Sequence, residues 1–209
     1  RHGEVLGIAG LIGSGRSELL RCLFGRDRFD RGTVEVDGIP IAPTSERTMI
    51  RAGVGLVPEN RREEGLVFVH RILQNLTMAG VSKFSTGGVL LPRVEKQLGQ
   101  QSSARLGIKH SGLWQPVSSL RGGNQQKGGF GKWLTADSEI LLIDEPTRGV
   151  DLHAKAQIYE LIRRWAAEGR SIVMVSSEFE ELFRVCHRIA IMSHGRLETP
   201  VDVDRTTMQ

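Results

Sequence analysis

The chain has 209 residues, of which 39% are hydrophobic, and its 28 Lys and Arg against 24 Asp and Glu give a net charge of +4. This length suits one large domain or a domain with a subdomain, and no apolar run approaches the roughly 20 residues of a membrane-spanning helix. The charges are interspersed, which favours a solvated surface over a nucleic-acid-binding face.

A short strand is predicted from Gly3 to Gly10, and it runs into a glycine-rich loop that ends at Ser17. The loop fits the phosphate-binding pattern of two glycines five apart followed by Lys and Ser or Thr, except that Arg16 stands where Lys is expected. Glycines let the backbone wrap a phosphate, with amide hydrogens and a helix N-terminus directed at the anion. The residues predicted to bind nucleotide here are Gly10, Gly13, Ser14, Gly15, Arg16, Ser17 and Glu18.

Arg16 changes what this loop is expected to do. Lysine is a compact point charge, whereas a guanidinium is planar, longer and forked. We therefore expect the loop to hold a nucleotide but to promote its hydrolysis poorly. Ser17 is predicted to hold Mg²⁺ through its hydroxyl, and the alternative interpretation is a glycine-rich turn without a ligand.

Further along the chain, the elements are shorter. Residues 32 to 40 are typical of a hairpin, because Asp37-Gly38 is a strong turn dipeptide between alternating runs. A short helix is predicted from Ser45 to Ala52 and a strand from Val54 to Val57. Between residues 70 and 120 apolar residues keep helical spacing, and no strand is expected there.

Residues Ile140 to Ile143 predict a strand buried on both faces. This strand delivers Asp144 and Glu145 to its carboxyl end, where ligands bind in open α/β sheets. Because side chains alternate along a strand, one acid can serve a hydrated Mg²⁺ and the other an attacking water. The alternative is two solvated acids at a strand end.

The rest of the chain alternates helices and strands. An amphipathic helix ends at Gly169, a buried strand covers Ser171 to Val175, and a further helix follows from Phe179 to Cys186. A strand from Arg188 to Met192 then leads into a turn at His194-Gly195. This alternation predicts an α/β fold with a largely parallel sheet.

Taken together, the motifs resemble the ATP-binding cassette subunits of transporters. The resemblance rests on the phosphate loop, on Gly122-Gly-Asn-Gln-Gln-Lys127 and on Asp144-Glu-Pro-Thr147. Glu145 to Asp151 and Val175 to Glu178 narrow it to the second, C-terminal cassette of bacterial monosaccharide importers of the ribose, galactose and xylose type. Arg in place of Lys is typical of that cassette, and the resemblance extends to about Thr199.

The resemblance implies a P-loop NTPase cassette core with a mostly parallel sheet and an inserted α-helical subdomain. Residues 1–69 and 121–209 would form the core, and residues 70–120 the helical subdomain that ends at the signature motif. The N-terminal β region, which in the family carries an aromatic residue for adenine stacking, would be incomplete.

The resemblance also assigns roles to single residues. Glu145 is implied as the catalytic base, and Asp144 as a Mg²⁺ partner. Glu59 takes the place of a Gln that touches Mg²⁺ and the membrane subunit, and Ser177 that of a His at the γ-phosphate, whose imidazole a hydroxyl cannot replace. Asp151 falls on the loop that crosses the cassette dimer.

In such head-to-tail dimers the signature serves the other cassette's site. The signature residues here are Leu120, Arg121, Gly122, Gly123, Asn124 and Gln125. Arg121 replaces the usual Ser and is expected to lower the activity of that composite site. Glycines also replace bulky apolar residues after it, so the helix from Asn124 to Ala136 is expected to be weakened by about 1 kcal/mol per glycine, or pinned only by Phe130, Trp133 and Leu134.

The implied function is to bind ATP with Mg²⁺ and, in a cassette pair, to hydrolyse it and energise monosaccharide import. The implied partners are the N-terminal cassette of the same polypeptide or a second copy, transmembrane permease subunits and, indirectly, a periplasmic sugar-binding protein, with no nucleic acid. The two isolated cysteines and the absence of ligand spacing among the histidines fit a cytoplasmic location, and the resemblance implies the cytoplasmic face of the bacterial inner membrane.

Two other functions remain open. A nucleic-acid-linked ATPase could use the same cassette, although the repair versions carry long coiled coils that this sequence lacks. A catalytically degenerate, regulatory cassette could bind nucleotide and complete its partner's ATPase site. Arg16, Glu59 and Ser177 favour this second alternative, whereas Glu145 argues for some hydrolysis.

Overall fold

The computed structural model describes residues 1–203, and its contacts divide the chain into two compact units. The first comprises Arg1–Leu56, Glu139–Pro146 and the described residues from Ile162 onward, and the second Val57–Ser138 and Thr147–Leu161. The bounds of these contact units differ from the predicted subdomain borders at residues 70 and 120. The helical subdomain with those borders stays a prediction. Among residues 1–203, no helix is both long and apolar enough to cross a membrane.

The strands are β1 (Val5–Ala9), β2 (Val34–Val36), β3 (Ile39–Ile41), β4 (Val54–Val57), β5 (Ser85–Thr86), β6 (Val89–Leu90), β7 (Ile140–Asp144), β8 (Ser171–Ser176), β9 (Arg188–Ser193), β10 (Arg196–Leu197) and β11 (Val201–Asp202). The helices are α1 (Arg16–Leu23), α2 (Glu46–Arg51), α3 (Ile72–Thr77), α4 (Pro92–Leu106), α5 (Gly122–Thr135), α6 (Leu152–Ala167) and α7 (Phe179–Val185). A π-helix covers Arg61–Gly65, and 3-10 helices cover Met78–Phe84 and Val117–Ser119.

The first unit is organised around a sheet whose strand order is β10-β9-β1-β8-β7-β4, with β11 paired to β9. β1 pairs in parallel with β8 and β9, and β7 pairs in parallel with β8. Only the short β10 and β11 run antiparallel to β9. The predicted α/β fold with a mostly parallel sheet is confirmed.

Burial explains why these segments form the centre of the sheet. Leu141, Leu142 and Ile143 of β7 and Val5 and Ile8 of β1 are at most 3% exposed. Strands covered on both faces consist of nearly continuous apolar residues, which is the pattern that the sequence shows. The predicted hairpin is β2–β3, and Ser45 caps α2 by accepting a hydrogen bond from the Thr48 N–H at 3.2 Å.

The second unit contains α3, α4 and α5 packed against one another. It also contains a small hairpin, β5–β6, so the prediction of no strand between residues 70 and 120 was wrong. Gly87 and Gly88 join these strands with φ of 58° and 82°, a conformation that two successive glycines allow. Each strand has two residues, too few for an alternating pattern to show in the sequence.

Helix α5 departs from its prediction as well. It is continuous from Gly122 to Thr135 and buried from Gln125 onward. Polar contacts anchor it beside the three expected apolar residues: the Lys132 ammonium donates to the Gly65 carbonyl at 3.0 Å, and the Thr135 hydroxyl to the Leu76 carbonyl at 2.5 Å. The expectation that Phe130, Trp133 and Leu134 alone hold this helix was therefore wrong.

Replacing two glycines of α5 by alanine should change the free energy of unfolding in opposite directions. A Cβ on Gly131 would lie 2.3 Å from Leu76 Cδ2, whereas one on Gly129 would have no atom within 4 Å. We expect Gly131→Ala to lower the free energy of unfolding by about 1–3 kcal/mol through overpacking. Gly129→Ala should raise it by about 1 kcal/mol, since alanine favours helix. Urea unfolding of both variants checks this, and equal effects would contradict it.

Candidate functional site

The glycine-rich loop lies between β1 and α1 in the first unit. Gly13 and Gly15 have φ of 82° and 103°, values that residues with a side chain rarely adopt. A Cβ on Gly10 would lie 2.5 Å from the Met192 carbonyl oxygen and 2.7 Å from Ser14 Oγ. Glycine is therefore required at these positions, and a glycine-rich loop that leads into a helix N-terminus is an arrangement that can bind an anion.

Three buried polar atoms around this loop have no hydrogen-bond partner among the described residues. They are Ser14 Oγ, Arg16 Nη1 and Asp144 Oδ1. Buried polar atoms are almost always paired in proteins, so each such atom needs an explanation. Ser14 and Arg16 offer donors that suit phosphate oxygens, and Asp144 offers an oxygen that suits a divalent cation. The residues present therefore fit a nucleotide with Mg²⁺.

Glu145 follows β7 and is held by two groups of the first unit. Arg16 Nη2 lies 3.3 Å from Glu145 Oε1, and both side chains are 10% exposed or less. The Ser177 N–H donates to Oε1 at 2.8 Å and its hydroxyl to Oε2 at 3.3 Å. Glu145 also has a φ of 43°, and such backbone strain is typical of functional sites.

Strand order explains how three distant segments meet. β8 lies between β1 and β7, with Ala9 opposite Ser176 and Asp144 opposite Val175. All three strands are parallel, so the loops that follow them leave from the same edge of the sheet. Arg16 at the start of α1, and Glu145 and Ser177 directly after β7 and β8, therefore lie at this edge.

Burial sets the protonation of Asp144. It raises the pKa of this carboxyl from 3.8 to about 6, and the neighbouring charge of Glu145 acts in the same direction. A hydrogen bond from Ser17 and the charge of Arg16 oppose the shift. The Ser17 hydroxyl and the Asp144 carboxyl are thus close together, which is the arrangement required for shared Mg²⁺ binding. The side chain of Glu18 does not join them: it is 61% exposed and lies 3.6 Å from Arg21.

The remaining predicted residues lie in the second unit. Glu59 forms an ion pair with Arg148. Asp151 caps α6 by accepting from the Ala154 N–H at 2.9 Å. In the signature, Leu120 is buried and Arg121 exposed, and α5 begins at Gly122. Gly123 lies against α6, where a Cβ would be 2.6 Å from Ala154 Cβ.

The two amides of the signature make local contacts in the second unit. Asn124 accepts from the Lys109 N–H at 3.2 Å, and the Gln125 amide donates to the Leu120 carbonyl at 2.7 Å. These bonds fix the start of α5.

Sequence reasoning missed several contacts. The Gly195 N–H donates to the Ser14 carbonyl at 3.0 Å and supports the phosphate loop from the turn after β9. Arg148 lies within the motif from Glu145 to Asp151, and Arg61 lies in the charged segment after β4. A run of charges at the surface of a loop gives no sign of its partners, so no signal in the sequence identified them.

The sequence of this chain is similar to those of known proteins. A family model described as "ABC transporter" matches residues 1–148. A ribose import ATP-binding protein of Chelativorans sp. (strain BNC1) is 43% identical over 199 residues, which are 95% of this chain and 39% of that protein. One of Streptomyces avermitilis is 40% identical over 207 residues, 99% of this chain and 40% of the relative. The chain thus spans about two fifths of the length of these relatives.

Solved structures share the fold. An ATP-binding cassette captured as a dimer in a post-hydrolysis state with ADP and Pi has a TM-score of 0.82 and 20% identity, over 97% of this chain and 87% of that one. A nucleotide-free cassette from an ABC transporter has a TM-score of 0.80 and 18% identity, over 97% and 81%. At these identities the likeness shows the fold alone.

Proposed function

Because the chain belongs to the ABC transporter family, we propose that it binds ATP with Mg²⁺ and, paired with a partner cassette, hydrolyses it to energise carbohydrate import. The observation that carries the proposal is a set of buried atoms of Ser14, Arg16 and Asp144 around the glycine-rich loop that have no hydrogen-bond partner in the part of the chain that the structure describes. They leave donors for an anion beside an oxygen for a cation, next to a held carboxylate at Glu145.

Each residue has a distinct part in this chemistry. The loop amides, the Ser14 hydroxyl and the Arg16 guanidinium bind phosphate oxygens. Ser17 and Asp144 hold the cation, whose charge offsets that of the phosphates when it is bound. Glu145 accepts the proton of an attacking water, and Ser177 holds the carboxylate in place through its two hydrogen bonds.

The substrate and the partners come from the relatives' names and from the family. Both curated relatives are named for ribose import, so we propose a monosaccharide as the cargo. A second cassette and transmembrane permease subunits are proposed partners, with a periplasmic sugar-binding protein acting indirectly. The chain would work at the cytoplasmic face of the membrane. Glu59 and the signature Leu120–Gln125 are proposed to act towards the permease and the partner cassette, respectively.

Titration of a fluorescent ATP analogue with Mg²⁺ into the chain, with phosphate release followed in parallel, tests the proposal. We expect binding without release alone, and release once the partner cassette is added. Binding with no release from this site in the pair would favour the degenerate cassette. Absence of binding at millimolar nucleotide would contradict the proposal.

A serine variant sharpens this titration. Ser14→Ala should weaken nucleotide binding by about tenfold to a hundredfold, since a hydrogen bond to a charged group is lost. Stability should stay unchanged, because Ser14 Oγ has no hydrogen-bond partner within residues 1–203. Ser118→Ala is the matched control, since this serine is exposed in the other unit. Equal affinities for the two variants would remove Ser14 from the site.

A further inference from the structure

Arg61 lies at the first position of the π-helix Arg61–Gly65, directly after Glu59 and Asn60. Its guanidinium donates through Nη1 to the Arg148 carbonyl at 3.2 Å and through Nη2 to the Gly149 carbonyl at 3.5 Å. A planar, forked guanidinium can reach two neighbouring carbonyls at once, which a lysine ammonium cannot do in the same geometry.

The same guanidinium also borders the signature. A Cβ on Gly122 would lie 3.4 Å from Arg61 Nη2, and a Cβ on Gly149 would lie 3.9 Å from Nη1. Both backbones therefore approach the guanidinium without a side chain between them. Within the second unit, Arg61 therefore lies against both the start of α5 and the loop before α6.

Neighbouring contacts reinforce this junction. Glu59 forms an ion pair with Arg148, which is a second link to the same loop. At the other end of the π-helix, Lys132 of α5 donates to the Gly65 carbonyl at 3.0 Å. The segment from residue 59 to residue 65 is thus linked to the loop 148–149 on one side and to α5 on the other.

We infer that Arg61 is a positioning residue that holds the signature start, Gly122–Gln125, and the loop 147–151 in one fixed arrangement. The inference rests on the proposed function, in which the signature acts towards the partner cassette, and on the expected position of Asp151 in the loop that crosses the cassette dimer. Arg61 acts on the partner's reaction through these segments. It fixes the position of one segment relative to the other, so that both reach the partner's nucleotide together. Nothing in this role requires Arg61 to contact the nucleotide of its own chain.

Kinetics of the assembled transporter test the inference. Arg61→Ala should lower kcat by about tenfold, the change expected when roughly one net hydrogen bond is lost from the reactive arrangement. KM should stay unchanged, as should nucleotide affinity at this chain's own phosphate loop. Arg61→Lys should recover only part of the rate, because it restores the charge without the fork. Unchanged kcat in Arg61→Ala would overturn the inference.

The adjacent residue provides the matched control. Arg62 is exposed, and its guanidinium lies 6.0 Å from the centre of the Phe68 ring. Arg62→Ala removes the same charge from the same π-helix and should leave kcat unchanged. If both variants lowered kcat equally, the effect would come from net charge, and the specific role of Arg61 would be refuted.

A second readout needs no nucleotide and separates this inference from the proposed function. In the free chain, amide hydrogen exchange of residues 122–125 and 148–151 should become about tenfold faster in Arg61→Ala, while β7 and β8 keep their protection. Slower or unchanged exchange at both segments would overturn the inference even if the chain binds ATP. Failure to bind ATP, with exchange changed as expected, would instead count against the proposed function alone.

Discussion

Replacing Arg16 by Met should lower the free energy of unfolding by about 3–5 kcal/mol, because it leaves Glu145 buried without its cation. The two side chains are 7% and 10% exposed, and Nη2 lies 3.3 Å from Oε1. The penalty comes from the uncompensated charge that remains, so removing both charges should recover most of it. Urea unfolding of Arg16→Met, Glu145→Gln and the double variant at pH 7 measures the coupling between the two residues.

An exposed pair of the second unit provides the control for this cycle. Glu59 and Arg148 also form an ion pair, but their side chains are 35% and 62% exposed. Solvent screens such pairs, so Arg148→Met should cost less than about 1 kcal/mol. If Arg16→Met costs no more than Arg148→Met, the buried pair does not stabilise the chain as argued. Nucleotide binding should be lost in Arg16→Met and retained in Arg148→Met.

Asp144 should make the stability of the free chain depend on pH. Because burial raises its pKa from 3.8 to about 6, the folded chain binds this proton more tightly than the unfolded chain does. Between these pKa values the folded state holds more protons, so the contribution of Asp144 to stability falls as the pH rises from about 4 to 6 and is level above that. The Asp144→Asn variant does not titrate here and lacks this loss.

The size of this effect follows from the shift in pKa. A difference of about two pKa units corresponds to roughly 2–3 kcal/mol. The free energy of unfolding of Asp144→Asn, measured relative to the unchanged chain, should therefore grow by that amount between pH 4 and pH 8. Taking the difference between the two proteins removes the titration of the other carboxyls. A difference that is constant across this range would contradict the raised pKa.

The same proton should compete with Mg²⁺. A carboxyl must be ionised to hold the cation, so the Mg²⁺-dependent gain in nucleotide affinity should fall as the pH drops below about 6. Titrations from pH 7.5 to pH 5, with Mg²⁺ or with EDTA, measure this gain directly. Nucleotide titration in EDTA corrects for protonation of the phosphates themselves. Asp144→Asn should show little gain at any pH, and a gain in the unchanged chain that does not vary with pH would exclude Asp144 as the cation's partner.

Local patterns in the sequence determined the phosphate loop, the buried strand before Asp144 and the parallel character of the sheet. β4 has the predicted bounds, Val54–Val57, and β7 covers the predicted apolar run. These features could be predicted because burial on both faces and glycine-dependent turns are recorded in consecutive residues. The motif order also indicated the family that the comparison identifies.

The tertiary structure decided which charged groups meet. Arg16 and Glu145 are far apart in the chain, and they pair because β8 lies between β1 and β7. Arg61 reaches Arg148 and Gly149 over separations of 87 and 88 positions in the sequence. Gly131 of α5 lies where Leu76 leaves no room for a side chain, whereas a Cβ on Gly129 would have no atom within 4 Å. The spacing of residues encodes local geometry. The partners of a charged side chain depend instead on the order of the strands and on close packing between distant segments, and no single segment of the sequence contains that information.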